Sequence, residues 1–246
     1  LSHLLDTGQI GGALVAEMPP DGCLRPRPLL ARSSADLIRS QGSLYCPVPL
    51  LEALREIDLK RETLAVVALP CQVQSIQLAR ARFPAWRDGI ALVLGLICDR
   101  TLSYLAIEYL SARRKSNGAP PESMRYRDKS AGGWPGDVSF ARANGQKDIV
   151  SSRWRLLCKE RFTPLRCRLC FDKMNVFSDI SLGDAWGVAE SRQGHSVAIC
   201  RTQNGARAFE SAVRSGCLVA QPTEYAQILK GQGIGLRRQS FRAAVR

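Results

Sequence analysis

The stretch Thr63-Leu-Ala-Val-Val-Ala-Leu-Pro-Cys71 is an apolar, Val-rich run that ends abruptly at Pro-Cys. Such a run is typical of a β-strand covered on both faces, and the apolar spacing over residues 72–83 predicts a helix directly after it. A second apolar run, residues 90–97, ends at Cys98 and precedes a predicted helix over residues 102–114. Because strand, cysteine and helix follow one another twice, the sequence predicts an α/β fold.

Periodicity and turn residues predict the other elements of the chain. Strands are expected at residues 12–17, 123–126, 138–141, 148–151, 179–183 and 196–201, and helices at residues 1–7, 33–39, 50–57 and 206–215. Residues 19–28 hold four prolines and are expected to form a loop. Thr101 and either Ser33 or Ser34 are predicted N-caps, and Gly216 is a predicted C-terminal cap.

The pattern changes to short strand-like pieces in the second half of the chain, which suggests an antiparallel addition to the sheet. We therefore expect an α/β fold in a single compact domain: a mixed sheet flanked by helices, with an antiparallel C-terminal addition. Within it we distinguish an α/β part with the strand–Cys–helix units (residues 1–120), a mixed part (residues 121–235) and a basic tail (residues 236–246).

The chain carries 35 Lys and Arg residues against 22 Asp and Glu residues, a formal net charge of +13. This excess indicates anionic partners, which include nucleic acid, a phosphate-bearing cofactor or an acidic redox protein. Because the basic residues are scattered, a dedicated nucleic-acid surface is not expected. No apolar run approaches the ~18 residues of a membrane span, so none is predicted.

Nine cysteines, an odd number, are spaced irregularly through a chain of 246 residues. This favours free thiols in a reducing cytoplasm, some of them metal ligands, over a disulfide framework. The chain begins Leu-Ser-His without a basic leader, so no secretory signal is expected.

A metal centre is predicted from four of these cysteines. Cys167 and Cys170 form a Cys-x-x-Cys turn, which places two thiolates at a distance suited to one centre. Cys71 and Cys98 each follow an apolar strand, at the edge where open α/β sheets form their binding crevice. Four sulfur atoms converging there could hold a 4Fe-4S cluster.

Other interpretations of the cysteines stay open at this point. A single cysteine after a strand can be a small buried hydrophobe. Four cysteines can also hold a structural zinc ion, although zinc commonly uses two Cys-x-x-Cys knuckles. Cys158, nine residues before Cys167, could replace one of the four ligands.

Several stretches taken together resemble one known family, that of the coenzyme F420 hydrogenase/dehydrogenase beta subunits. They are Leu69-Pro-Cys-Gln72, Leu96-Ile-Cys98, Tyr126-Arg-Asp-Lys129 with Gly133-Trp-Pro135, Phe162-Thr-Pro-Leu-Arg-Cys-Arg-Leu-Cys170 and Asp179-Ile-Ser-Leu-Gly-Asp-Ala-Trp-Gly187. The resemblance runs from about residue 1 to residue 235.

The resemblance implies FAD bound beside a 4Fe-4S cluster, with Cys71, Cys98, Cys167 and Cys170 as the cluster ligands. Relatives act on a deazaflavin, or on chlorophyll pigments with ferredoxin. The Gly/Ser-rich stretch that usually precedes the first helix of the family is not found here, so part of the flavin pocket is expected to be absent. The ferredoxin-like N-terminal module of some relatives is not found either.

The pyrophosphate of FAD needs fixed positive charge and backbone amides. Arg125, Arg127 and Lys129 lie on a short segment that leads to Gly132-Gly133, where the backbone permits close approach, and are the predicted phosphate contacts. The alternative is a solvated hairpin of alternating charges.

The segment Gly183-Asp-Ala-Trp-Gly187 follows a predicted strand and is expected to face the isoalloxazine ring. Asp184 would accept a ring N–H, and Trp186 would form a wall of the pocket. The alternative for Trp186 is ordinary core packing.

These features predict an oxidoreductase subunit that passes electrons between a hydride carrier or small-molecule substrate and a one-electron partner. Such a partner would be ferredoxin or another subunit. We name no general acid or base, since the cofactors carry the chemistry. The alternatives are a zinc-stabilised, basic nucleic-acid-binding module and a truncated relative that keeps the fold without the flavin.

Overall fold

The computed structural model describes residues 1–115, 120–130, 132–189 and 191–244. The strands are β1 (Gly12–Glu17), β2 (Arg27–Ala31), β3 (Leu64–Ala68), β4 (Ile90–Leu96), β5 (Ser123–Asp128), β6 (Asp137–Ala141), β7 (Lys147–Val150), β8 (Ile180–Asp184) and β9 (Ser196–Cys200). The helices are α1 (Ser2–Asp6), α2 (Ser34–Arg39), α3 (Leu50–Glu56), α4 (Pro70–Arg82), α5 (Pro84–Gly89), α6 (Leu105–Ser111), α7 (Ser152–Arg161), α8 (Leu165–Arg168), α9 (Gln203–Arg214), α10 (Tyr225–Gly231) and α11 (Ile234–Ala244).

The main sheet has six strands in the order β2-β1-β3-β4-β8-β9. The four inner strands run parallel, and the two edge strands, β2 and β9, pair antiparallel with their neighbours. The expected mixed sheet is therefore confirmed. Because the inner strands are parallel, β3, β4 and β8 all end at the same edge, where open α/β sheets bind ligands.

Helices cover both faces of the main sheet, and alternate side chains of each strand point to opposite faces. On one face, Leu14 and Val66 pack with apolar residues of α3, α4 and α5. On the other, Val15 and Ala65 pack with α1, α2 and α9. The near-continuous apolar character of β3 and β4 follows from this double coverage.

The three antiparallel strands β5, β6 and β7 form a second sheet of their own. The expected antiparallel addition is present, but the three strands do not extend the main sheet. Met124, Tyr126 and Phe140 on the buried face of this second sheet pack against α6 and α7, which give it a separate core. The antiparallel strand that does extend the main sheet is β9.

Two of the predicted caps are present. The Ser33 side chain accepts from the Asp36 backbone N–H, and Asp36 returns the interaction in a capping box. Gly216 follows α9 with a φ of 75°, a left-handed conformation that glycine adopts without strain.

The helix predicted over residues 102–114 is wrong at its start, because α6 begins at Leu105. The backbone N–H groups of Leu102 and Ser103 bond instead to the carbonyls of Tyr45 and Phe162. The hydroxyl of Thr101 lies against the Cys167 sulfur, and no side-chain cap is made. Long-range hydrogen bonds thus replace the local helical ones.

A further segment differs from expectation. The predicted loop over residues 19–28 gives way at Arg27 to β2, an edge strand, where proline is tolerated. The predicted basic tail is helical from Ile234 to Ala244, while its last two residues, 245–246, lie outside the described part. None of the helices within the described ranges has the length and apolar character needed to cross a membrane.

Candidate functional site

Cys71 and Cys98 lie at the same edge of the main sheet. Cys71 is the second residue of α4, directly after β3, and Cys98 lies two residues past β4. The Cys98 N–H donates to the Lys173 carbonyl at 2.9 Å, so the segment that follows Cys170 runs directly beside Cys98. The sheet therefore brings the two isolated cysteines to the Cys-x-x-Cys turn.

The Cys-x-x-Cys turn is held from two sides. Arg237 of α11 donates to the carbonyl of Cys167 at 3.0 Å and to that of Cys170 at 3.2 Å. The Thr101 hydroxyl lies 3.4 Å from the Cys167 sulfur. The Arg237 contacts hold the backbone of the turn, and the Thr101 hydroxyl contacts the Cys167 thiol itself.

The four thiols lie close enough to affect one another. Burial, followed by the charges of Cys167, Cys71 and Cys170, raises the pKa of Cys98 to about 12. Burial also raises the pKa of Cys71, where Arg166 acts in the opposite direction. Among the described residues, no three His, Cys, Asp or Glu side chains are grouped tightly enough to hold one metal ion.

Positive charge surrounds the acid next to Cys98. The Asp99 carboxylate lies 3.0 to 3.8 Å from three cationic side chains, those of Arg100, Lys159 and Lys173. Burial alone would raise the Asp99 pKa, but these cations hold it below its usual value. Three cations against one carboxylate leave a local positive excess around Asp99, whereas the charge of Asp99 itself adds to the raised pKa of Cys98.

Asn175, which the sequence did not single out, joins the ends of two strands. It is buried, with a φ of 54°, and its side-chain amide donates to the carbonyls of Ala68 (3.0 Å) and Leu96 (3.2 Å). A Cβ at Gly95 would collide with this amide, so glycine makes room for it. Asn175 lies five residues after Cys170 and thereby anchors this loop to β3 and β4.

A large open cleft of about 2360 Å³ begins at the same edge. The predicted site residues that line it are Cys98, Arg127, Gly183, Asp184 and Trp186. Its volume is well above the ~300–1,000 Å³ of ordinary ligand pockets. The cleft therefore connects Cys98, the one of the four predicted ligands among its described lining residues, with the predicted flavin segment.

Arg127 and Asp184 form an ion pair across this cleft. Arg127 Nη1 lies 2.7 Å from Asp184 Oδ2, and Arg127 Nε donates to the Pro135 carbonyl at 2.9 Å. The side chains are 11% and 28% exposed, respectively. Arg127 is thus held in place, and its charge is partly balanced by Asp184.

Trp186 is not a core residue, since it is 41% exposed. Its ring packs on Trp134, with the centroids 4.0 Å apart and the planes at 50°. At Gly183, a Cβ would lie 2.8 Å from the Ile97 side chain, so glycine permits the close approach of these two segments. An exposed, stacked indole at the cleft is suited to contact a flat ligand.

The other two predicted phosphate contacts lie elsewhere. Arg125 is exposed on β5, and the Lys129 ammonium donates to the Gln193 carbonyl at 2.8 Å. Neither is among the described residues that line the cleft. The sequence could not separate them from Arg127, because all three lie on one segment of alternating charges.

The cleft has further cations that sequence reasoning missed. Arg155 of α7 is 8% exposed, and burial lowers its pKa, as it does for Lys173. Both line the cleft, together with Arg100, Arg127 and Lys159. Helix α7 was not predicted, so no sequence signal pointed to Arg155. The cleft is consequently suited to an anionic ligand.

Cys158 lies in a different environment from the four thiols. It is buried in the core between the second sheet, α6 and α7, where burial and then Cys46 raise its pKa to about 11. Cys46 itself lies 3.0 Å from the Tyr126 hydroxyl. Cys23, Cys200 and Cys217 are exposed.

The sequence matches two family models, and both are described as "Coenzyme F420 hydrogenase/dehydrogenase, beta subunit". The model of the N-terminal part of that subunit matches residues 1–55, and the model of its C-terminal part matches residues 61–225. Together these matches cover most of the chain.

Individual curated proteins are also similar to this chain, at sequence identities of 24% to 27%. An uncharacterized protein of Methanocaldococcus jannaschii is 27% identical over 223 residues, covering 88% of this chain and 58% of its own length. The coenzyme F420-dependent sulfite reductase of the same organism is 26% identical over 220 residues, and the match covers 83% of this chain and 32% of the reductase. The coenzyme F420 hydrogenase subunit beta of Methanosarcina barkeri is 24% identical over 231 residues, and the match covers 90% of this chain and 73% of that subunit. The chain thus spans less than two thirds of the first two relatives.

A solved structure has the same fold. It is the xenon-derivatised F420-reducing NiFe hydrogenase complex from Methanosarcina barkeri, in which one chain aligns with a TM-score of 0.72 and 21% identity. The alignment covers 98% of this chain and 79% of that one. The α/β architecture is therefore shared over nearly all of this chain.

Proposed function

The chain belongs to the coenzyme F420 hydrogenase/dehydrogenase beta-subunit family, a family of oxidoreductase subunits, and we propose that it carries FAD and a 4Fe-4S cluster. With these it passes electrons between a hydride carrier, such as reduced coenzyme F420, and a one-electron partner. That partner is a redox protein such as ferredoxin, or another subunit.

The observation that carries the proposal is the grouping of four thiols at one sheet edge. Cys98 lies within electrostatic range of Cys71, Cys167 and Cys170, and the hydroxyl of Thr101, three residues after Cys98, lies 3.4 Å from the Cys167 sulfur. Each of the two proposed parts of the chain supplies two of these ligands. Residues 1–120 supply Cys71 and Cys98, which follow strands, and residues 121–235 supply the Cys-x-x-Cys pair. Sulfur ligands of this kind fit an iron–sulfur cluster.

The spacing of the thiols favours a cluster over zinc. A structural zinc site commonly uses two Cys-x-x-Cys knuckles, whereas the four predicted ligands of this chain are one Cys-x-x-Cys pair and two widely separated single cysteines. Ligands of a four-iron cluster each bind a different iron atom, so their sulfur atoms are spread more widely. The cationic surroundings, including Arg166 beside Cys71, stabilise the negative charge that such a cluster brings.

The cleft supports the flavin part of the proposal. Arg127, Arg155 and Lys173 offer positive charge for a pyrophosphate. A carboxylate accepts several hydrogen bonds, so Asp184 can hold Arg127 and still accept an N–H of the flavin ring. Trp186 offers an exposed aromatic face. Of the three cations predicted from sequence, the proposal keeps Arg127.

When bound, a flavin accepts a hydride and releases electrons singly, which is the chemistry that links two-electron and one-electron carriers. The residues of this chain bind and orient the proposed cofactors. Arg127 is fixed by Asp184 and Pro135, and Asn175 holds the strand ends that precede Cys71 and Cys98. No residue is assigned as a general acid or base.

The test is the cofactor content of the full-length protein purified without oxygen. We expect about four iron and four sulfide per chain, as a 4Fe-4S cluster contains, with one FAD released on denaturation. Reduced coenzyme F420 should then bleach the flavin absorbance, and added ferredoxin should be reduced in turn.

Three outcomes would contradict the proposal in different ways. Colourless protein that contains zinc would favour the zinc-stabilised module. Protein that contains iron but no flavin would indicate a relative that keeps the fold without the flavin. Protein with both cofactors that does not react with reduced coenzyme F420 would leave the cofactors correct and the hydride carrier wrong.

A further inference from the structure

We propose that an exposed apolar surface beside the four thiols is the docking site for an acidic one-electron redox protein. The docking patch, as we define it, consists of Leu165, Leu169, Phe171, Phe177 and Leu236. The proposal rests on the proposed function, since it places the electron partner next to the proposed cluster.

Large apolar side chains are exposed on the docking patch. Leu165 and Leu236 are each 71% exposed, and Phe171 is 63% exposed. Exposed apolar residues scattered singly need no explanation, but a group of them indicates an interaction surface. Three of the five lie within the seven residues from Leu165 to Phe171, which contain the Cys-x-x-Cys turn.

Contacts between elements bring two parts of the docking patch together. Arg237, which follows Leu236 on α11, donates to the carbonyls of Cys167 and Cys170. Phe171 packs on Phe241 of the same helix with the ring centroids 6.1 Å apart. The patch residues of α11 and of the Cys-x-x-Cys turn are therefore neighbours.

The docking patch also reaches the helix that carries Cys71. The Gln77 side chain of α4 donates to the Phe177 carbonyl at 2.7 Å, and the adjacent Leu78 is itself exposed. Cys71 is exposed on this helix. A protein bound to the patch would thus cover the thiol side of the molecule.

Charge indicates the chemistry of the partner. Arg166, Arg168, Arg238 and Arg242 are exposed on the same elements as the docking patch. Asp172, the acid next to Phe171, is buried, and its carboxylate accepts the Val176 N–H. An apolar centre with a cationic rim fits a partner with an apolar centre and an acidic rim.

Net charge argues against a second copy of this chain as the occupant. Two chains with a formal charge of +13 each would bring like charges together around the patch, which costs free energy. An acidic redox protein would instead be attracted, and the attraction would weaken as salt is added.

The test compares two variants of the full-length protein with its cofactors bound. Phe171→Glu places an acid in the docking patch, and Ile38→Glu is the matched control, because Ile38 is also 63% exposed but lies on α2. The probe is an acidic two-cluster ferredoxin, and the readouts are its binding constant and its rate of reduction. Iron, flavin and the rate of flavin reduction by reduced coenzyme F420 are measured alongside.

We expect Phe171→Glu to weaken ferredoxin binding by ~10-fold or more, a loss typical of a central interface residue. Flavin reduction and cofactor content should stay at the wild-type level, and Ile38→Glu should behave as wild type in every assay. Wild-type binding should also weaken with added salt.

Equal ferredoxin binding by Phe171→Glu and wild type would overturn the docking proposal while the proposed function stands. So would a wild-type dimer in light scattering that Phe171→Glu dissociates, because the patch would then bind a second copy. Wild-type protein without iron would overturn the proposed function instead, and metal analysis detects this before any binding is measured.

Discussion

Arg127 Nη1 lies 2.7 Å from Asp184 Oδ2, and this ion pair connects β5 of the second sheet with the end of β8 in the main sheet. The two residues are 57 positions apart in the chain. Both line the cleft, so the pair fixes the position of one sheet against the other at the proposed flavin site.

Replacing Arg127 with Ala should weaken FAD binding by ~10- to 100-fold, because it removes a cation and leaves Asp184 as an unbalanced carboxylate. The measurement is a fluorescence titration of the deflavinated protein with FAD. Arg125→Ala, on the same strand but outside the cleft lining, is the control and should bind FAD as wild type does. Equal loss in the two variants would show that the effect is not specific to the ion pair.

Replacing Cys98 with Ser should abolish the cluster, since Cys98 lies among the three other thiols. Iron and sulfide assays and the visible spectrum of anaerobically purified protein measure this. Cys200→Ser is a control from the exposed end of β9, and Cys158→Ser tests the alternative ligand. Both should retain full iron, and loss of iron from Cys158→Ser would show that the ligand set has been chosen wrongly.

Asn175→Ala should destabilise the protein by about 2–4 kcal/mol, because the Ala68 carbonyl, which is buried, and the Leu96 carbonyl, which is partly buried, lose their donor and a cavity forms. Denaturant unfolding measures the free energy, and iron content should fall with it. Asn204→Ala is a suitable control: Asn204 is exposed and donates to a single strand carbonyl, that of Ala91. If the two variants lose equal stability, the strand-joining role of Asn175 is refuted.

Asp128→Asn should remove part of the acid sensitivity of folding. Burial alone would raise the pKa of Asp128, but hydrogen bonds from Ser130 and Ser139 and the charge of Lys147 hold it well below its usual value. A carboxyl group whose pKa is lower in the folded state than in the unfolded state stabilises the fold at pH values above its unfolded pKa of ~3.9. This stabilisation is lost as the pH falls from that value through the folded-state pKa. We expect the variant to be ~1–3 kcal/mol less stable than wild type at pH 7.

The difference between Asp128→Asn and wild type should shrink as pH falls below ~4, the unfolded-state pKa. Thermal or urea unfolding across pH 3–7 measures this. Glu56→Gln, at an exposed acid that ends α3, changes the net charge by the same amount in the same direction and is the control. A stability difference that stays constant with pH would exclude the carboxylate as its cause.

The sequence by itself determined the local elements and the type of chemistry. Runs such as residues 64–68 specify buried strands because every side chain is apolar. The Cys-x-x-Cys turn predicts a pair of sulfur ligands because only two residues separate the cysteines. Parallel strands end at one edge, so the proximity of Cys71 and Cys98 could also be predicted.

Tertiary structure decided what depends on distant residues. Leu102 and Ser103 are not helical, because their backbone N–H groups donate to the carbonyls of Tyr45 and Phe162. Arg127, and not Arg125, became the candidate phosphate contact because Asp184 approaches Arg127. Asn175 joins the ends of two strands because its side chain donates to carbonyls 79 and 107 residues away in the chain. Periodicity describes neighbours along the chain, whereas these hydrogen bonds and ion pairs depend on how the two sheets pack.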